Sequence, residues 1–191
     1  WETAGKQQTV SNYCFYCDYL QKKGMLDQVR DFFEQCGGPN GDVPHHNFDK
    51  AMPWPFAEED YIDVVTGRVA REQLSRHPAE KPFYMKVSFC GPHKPYDAPQ
   101  RYLDMFPLEQ EDDFLLPEGQ VIAQKDKEAL WRQRRSSKAM IKLIDDQIGE
   151  ILRLLEKRGM MEDTLVLFTS DHGDMLGDHY LLQKGVPWRQ A

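Results

Sequence analysis

Residues 164–174 read Thr-Leu-Val-Leu-Phe-Thr-Ser-Asp-His-Gly-Asp, and this stretch decides how the fold is interpreted. The apolar run 164–169 is typical of a buried strand in a parallel sheet. Asp171 and His172 follow it, at the place where open α/β sheets gather their ligands. Gly173 permits a sharp turn, so both side chains can converge on one ion. A carboxylate and an imidazole suit a divalent cation, although a turn-capping aspartate beside a structural histidine would show the same pattern.

The segments that precede this strand predict an α/β architecture. Apolar residues recur at helical spacing from Ser136 to Arg158, and Gly159 is placed to end that helix. Apolar and polar residues alternate over 83–89, which predicts an earlier strand. Strand, helix and strand in this order indicate an α/β sheet flanked by helices.

The first part of the chain has a different character. Residues 1–57 are predicted as an irregular and partly helical lead-in that includes a variable loop. Within this part we predict a short helix ending at Gly24, a second helix over 27–35 and a loop over 37–57.

The middle of the chain is predicted to hold a helix from Glu58 to before Pro78 and a long loop over 92–120.

Composition narrows the class of protein. The chain has 191 residues, with 24 basic and 31 acidic side chains and a net charge of −7. Nucleic-acid binders usually show a basic excess, so this class is not expected. No apolar run is long enough to predict a membrane span.

Two more side chains are candidates for the same site. His93 lies between Pro92 and Pro95 at the predicted carboxyl end of the first strand, where it could serve as a general acid or donate to an ester oxygen. Lys184 precedes Gly185 and can direct a cation toward a bound oxyanion. Each alone is more typical of a structural loop histidine and a solvated lysine. Their joint placement favours a shared anion site.

The cysteines give a weaker signal. Cys14 and Cys17 have the spacing used by zinc and redox sites. A zinc site needs two further ligands at a matching spacing, and Cys36 stands alone. Ordinary thiols on or under a helix are the favoured interpretation.

These motifs together resemble a known family. Residues 164–179 with Lys184 and Gly185 closely resemble the metal-and-lysine block of the sulfatases. Residues 83–102 are similar to the central strand and histidine loop of that family. The resemblance covers roughly residues 60–191. It implies an alkaline-phosphatase-like fold with a mixed or parallel sheet flanked by helices, incomplete in this chain, in which residues 58–191 form the metal-site half of a catalytic domain.

The resemblance also implies a reaction. The parent protein would be a sulfuric ester hydrolase of the arylsulfatase type that acts on sulfate esters, sulfated glycans among them. Asp171 and His172 would ligate a divalent cation, with Ca²⁺ favoured and Mg²⁺ or Mn²⁺ as alternatives. Lys184 would bind the sulfate and the ester oxygen. His93 would hydrogen-bond or protonate the leaving oxygen. The family's compartments leave a periplasmic, secreted or lysosomal location open.

The chain departs from the family pattern at the nucleophile. Sulfatases make formylglycine from a Cys or Ser in a C/S-x-P-x-R motif, and no such motif occurs here. Cys90-Gly-Pro-His-Lys94 imitates it but lies in the histidine loop. We therefore expect the chain to be an internal piece that is inactive alone, whose open sheet edge leads to poor solubility or to pairing with another chain.

Two alternatives remain open from the sequence. The first is a phosphodiesterase or phosphonate monoester hydrolase of the same superfamily. The second is a non-catalytic metal- or glycan-binding module, in which the nucleophile is genuinely missing and the aromatic loop Met52–Phe56 could stack on a sugar.

Overall fold

A computed structural model describes residues 15–36, 51–108, 114–182 and 184–186. The regular elements of this part are helices. They are α1 (Phe15–Lys22), α2 (Leu26–Gln35), α3 (Ile62–Arg76), α4 (Gln100–Leu103) and α5 (Gln124–Lys157), with single 3₁₀ turns at Glu58–Asp60 and Asp178–Tyr180.

The first two helices confirm the pattern seen in the sequence. Gly24 follows α1 with φ of +70°, a left-handed conformation that suits glycine and ends the helix. Helix α2 buries its apolar stripe, which consists of Val29, Phe32 and Phe33. Cys17 is buried in the core, as expected of a thiol under a helix. Cys14 lies outside the described residues.

Helices α3 and α5 pack side by side and form the centre of the core. Gly67 makes this close approach possible, because a Cβ there would lie 2.9 Å from Cβ of Gln147. Side chains of all five helices join one apolar cluster, which includes Tyr16, Phe32, Tyr61, Val65, Tyr102, Met140 and Leu143. The first two helices therefore share their core with the later part of the chain.

Helix α5 is longer than predicted. It begins at Gln124 rather than Ser136 and ends at Lys157, followed by Gly159 with φ of +65°. Charged residues dominate its first turns, so the apolar stripe is hard to see in the sequence. Leu130 and Trp131 nevertheless bury there, and this burial extends the helix.

The predicted strands are wrong for this structure, because no β-strand forms among the residues described. Phe83, Met85, Val87 and Phe89 keep the alternating burial of a strand. The run 164–169 is not buried: the exposed fractions of Leu165 and Phe168 are 83% and 81%. A strand needs a neighbour to pair its backbone N–H and C=O groups, and the described residues supply none. The sheet of the predicted fold is therefore not seen in this part of the chain.

The loop regions are more ordered than predicted. Helix α4 lies inside the predicted loop 92–120 and packs against α5. Trp54 pairs with Pro99 in a short parallel bridge and retains only 4% exposure. Its ring packs edge-on against Phe32 and Phe56, so the aromatic loop belongs to the core. Among the helices described, none is both long and apolar enough to cross a bilayer.

Candidate functional site

Asp171 and His172 form a compact pair of ligand-type side chains. Oδ2 of Asp171 lies 3.4 Å from Nε2 of His172, and Oδ1 accepts the backbone N–H of His172 at 2.9 Å. Nδ1 of His172 lies 2.7 Å from the carbonyl oxygen of Gly173. A carbonyl can only accept, so Nδ1 carries the proton in this contact, and Nε2 is the ring nitrogen that faces Asp171.

The environment of Asp171 keeps its carboxylate ionised. Partial burial raises its pKa, but the backbone N–H of His172 and the charges of His172 and Lys184 outweigh this, and the pKa lies below the ordinary value. The side chain of Asp171 is 86% exposed. Lys184 is also exposed, and its positive charge contributes to the lowered pKa of Asp171.

His93 lies half-buried in the turn that follows residues 83–89. Its backbone N–H donates to the carbonyl of Cys90 at 3.2 Å, which closes the turn. Nδ1 lies 2.7 Å from the carbonyl of Lys94 and is therefore protonated in this contact. Nε2 is then the ring nitrogen that can serve a substrate. It accepts when the ring is neutral and donates when the ring is an imidazolium.

A tyrosine joins the two halves of the candidate site. The hydroxyl of Tyr96, three residues after His93, donates to Oδ2 of Asp174 at 2.9 Å. Oδ1 of Asp174 accepts the backbone N–H of Leu176 at 3.2 Å. Tyr96 is only 3% exposed. This hydrogen bond therefore fixes the position of the histidine loop relative to the segment that carries Asp171 and His172.

An arginine on α5 anchors the turn between His172 and Lys184. Arg134 donates from Nε to the carbonyl of Leu176 at 2.9 Å and from a terminal nitrogen to Oδ1 of Asp178, also at 2.9 Å. Its guanidinium lies 4.0 Å from the centre of the Phe114 ring. Asp178 accepts in addition the backbone N–H of Leu115 at 3.1 Å. No local pattern marks these residues in the sequence, because Arg134 is one of many charges on a long helix.

A carboxylate and an imidazole are ligand types that suit a divalent cation. A proton or a cation between Oδ2 of Asp171 and Nε2 of His172 would stabilise their approach at 3.4 Å. Hard cations usually need six or more oxygen ligands. Within the ranges that the structure describes, no group of three His, Cys, Asp or Glu side chains could hold a metal ion. The described residues alone therefore do not form a complete metal centre.

Comparison with known proteins gives a consistent result. The sulfatase family model matches residues 5–190. The arylsulfatase of Clostridium perfringens is 32% identical over 180 residues, which cover 85% of this chain and 37% of that protein. The choline-sulfatase of Rhizobium meliloti is 34% identical over 133 residues, which cover 57% of this chain and 25% of that protein.

A solved structure shares the fold. The phosphonate monoester hydrolase of Agrobacterium radiobacter superposes with a TM-score of 0.71 at 21% identity, over 92% of this chain and 39% of that one. This likeness supports the predicted alkaline-phosphatase-like class at the level of the fold. The chain spans 37% of the length of the arylsulfatase and 25% of the choline-sulfatase.

Proposed function

Because this chain belongs to the sulfatase family, we propose that it supplies the cation-binding half of the active site of a sulfuric ester hydrolase. We call the longer polypeptide that would contain it the parent protein. The nucleophile, a formylglycine, would come from another part of that polypeptide.

The observation that supports this proposal best is the Asp171–His172 pair. Its Oδ2 and Nε2 atoms lie 3.4 Å apart, and Nδ1 of the ring is engaged by Gly173. That second hydrogen bond sets the tautomer in which Nε2 can ligate a metal, as metal-binding histidines generally do. A carboxylate ligand suits a hard cation, and the family resemblance favours Ca²⁺, with Mg²⁺ and Mn²⁺ as alternatives.

The remaining residues complete a site for sulfuryl transfer. Asp171 and His172 would hold the cation, which would supply positive charge to offset the charge on the sulfate oxygens. Lys184 would bind the sulfate and the ester oxygen with its ammonium. His93, as an imidazolium, would donate from Nε2 to the departing ester oxygen, so that the alkoxide leaves as an alcohol.

Replacement of the carboxylate tests the proposal. In the parent protein, Asp171→Ala should abolish hydrolysis of an aryl sulfate and weaken Ca²⁺ binding measured by calorimetry. Asp163→Ala is the matched control, because Asp163 is an exposed carboxylate on the same segment. Full activity of Asp171→Ala after treatment with EDTA would refute the assignment.

A second candidate function is favoured by one specific observation. The solved structure that shares the fold is named as a phosphonate monoester hydrolase. A screen of the parent protein against paired sulfate and phosphate esters of the same alcohol separates the two activities. We place the sulfatase first, because two relatives more than 30% identical are named as sulfatases.

The third interpretation, a metal- or glycan-binding module, loses one proposed sugar contact. The loop Met52–Phe56 could have stacked on a sugar, but Trp54 is buried against Phe32 and Phe56. Sulfated glycans remain candidates as substrates. Substrate recognition would fall to the variable segments 37–57 and 96–125, which are our candidates for specificity; 37–50 and 109–113 lie outside the described residues.

A further inference from the structure

A buried carboxylate on α3 holds the turn that carries His93. Asp63 is fully buried, although it lies in the first turn of a helix where carboxylates are usually solvated. Its Oδ1 accepts the backbone N–H of Cys90 at 2.6 Å, and its Oδ2 accepts the backbone N–H of Gly91 at 2.9 Å. Both oxygens thus bind consecutive peptide groups of the same turn.

This clamp is connected to His93 through the backbone. The carbonyl of Cys90 accepts the N–H of His93 at 3.2 Å, so the residue that Asp63 holds is the one that closes the turn. Other hydrogen bonds of the described residues act beyond His93. They include those from Tyr61 to Asp97, from the Ala98 N–H to Ser136 and from Tyr96 to Asp174.

The glycine of the turn is matched to this carboxylate. A Cβ on Gly91 would lie 2.8 Å from Oδ2 of Asp63 and 3.0 Å from Cδ1 of Ile144. Only a residue without a side chain lets the peptide approach so closely. The carboxylate and the glycine therefore form one unit.

The chemistry of the clamp requires a carboxylate. Two N–H donors need two acceptor oxygens, and asparagine offers one oxygen and an NH₂ group that would face the second N–H. The N-terminus of α3 and the two peptide donors together compensate the buried charge. A side chain that only filled space at this position would not need two acceptor oxygens facing two peptide N–H groups.

We infer that Asp63 is a positioning residue for His93, which sets the direction of its Nε2 toward the ester oxygen. The inference rests on the proposed role of His93 as donor to the leaving group. A donor that is displaced matters most when the leaving oxygen is basic, since a weakly basic phenolate departs without help.

The leaving group therefore provides the test. In the parent protein, Asp63→Asn should lower kcat for phenyl sulfate by a factor about ten times larger than the factor for 4-nitrophenyl sulfate. This tenfold difference is part of the roughly hundredfold or more by which a general acid raises kcat. KM should change little. His93→Ala should show the same bias, and the double variant should be no worse than His93→Ala alone.

Asp60→Asn is the matched control. Asp60 is also a buried carboxylate beside the start of α3, but it binds Tyr19 and Lys23 of the N-terminal helix region. Its substitution should lower stability without a leaving-group bias. If Asp63→Asn does not fold, Gly91→Ala displaces the same turn from the opposite side and should produce the same bias.

The outcomes separate the two levels of the argument. Equal losses on both esters in Asp63→Asn, with a clear bias in His93→Ala, would overturn the positioning role and leave the proposed function standing. Absence of the bias in His93→Ala would refute the role of His93 as donor, and the role of Asp63 with it.

Discussion

The hydrogen bond between Tyr96 and Asp174 links the two halves of the candidate site and is the most informative contact to remove. Tyr96→Phe deletes one hydroxyl and leaves the ring in place. A hydrogen bond to a charged group is worth about 1.5–3 kcal/mol. Asp174 is half-buried, so water can replace the lost donor, and we expect the lower end, about 1.5 kcal/mol.

The assay is a double-mutant cycle in the parent protein. Tyr96→Phe and Asp174→Ala, alone and together, should give a coupling free energy of about 1–2 kcal/mol by urea unfolding. If that energy holds the histidine loop in register with Asp171, kcat/KM for an aryl sulfate should fall about tenfold, since about 1.4 kcal/mol corresponds to a factor of ten.

Tyr102→Phe is the matched control. Tyr102 is a buried tyrosine that donates to the half-buried Asp146 at 3.1 Å, and this pair joins α4 to α5 without including a candidate site residue. It should lose similar stability with unchanged kcat/KM. The reasoning fails if the coupling of Tyr96 to Asp174 is below about 0.3 kcal/mol, the limit of additivity, or if both variants lose activity equally.

Three further predictions concern the helices, the pH response and the chain by itself. Gly67→Ala should lower the free energy of unfolding by about 1–3 kcal/mol, because the added Cβ would lie 2.5 Å from Oε1 of Gln147. Gly149→Ala, where the nearest contact of an added Cβ is 3.5 Å, should instead raise the free energy of unfolding by about 0.5–1 kcal/mol. Urea unfolding measures both changes, and equal effects of the two substitutions would contradict the packing argument. Burial and the hydrogen bond to Asp146 raise the pKa of Tyr102 to about 12, so the native state retains this proton more tightly than the unfolded state. The stabilisation that the protonated Tyr102 hydroxyl gives the folded state should be complete below about pH 10 and be lost as the pH rises through about 12. Ultraviolet titration to pH 11 should therefore find equal numbers of ionised tyrosines in wild type and Tyr102→Phe. The purified 191-residue chain should show little turnover of aryl sulfates and weak Ca²⁺ binding, since two protein ligands hold a hard cation poorly. Turnover by this chain that is abolished by Asp171→Ala would contradict this prediction.

Local signals in the sequence were sufficient for several elements. The period of Val29, Phe32 and Phe33 predicted α2 to within one residue of its start, and Gly159 marked the end of α5. These features depend on neighbours within a few residues, which the sequence displays directly. Asp171 and His172 were likewise found as adjacent residues, and the structure brings their side chains together.

The start of α5 and the strands could not be obtained in this way. The first turns of α5 are stabilised by burial of Leu130 and Trp131, which depends on what packs against them. The apolar run 164–169 has strand composition, but a strand exists only when a neighbour accepts its hydrogen bonds.

The sequence by itself determined the family, most of the helices and the candidate residues His93, Asp171, His172 and Lys184. Each of these is indicated by residues that lie close together along the chain. Only the tertiary structure decided what holds those candidates in place. The contacts of Asp63 with Cys90, Arg134 with Leu176 and Tyr96 with Asp174 span 27, 42 and 78 residues along the chain. No local pattern marks such partners, since they meet only after the helices have packed and the loops between them have closed.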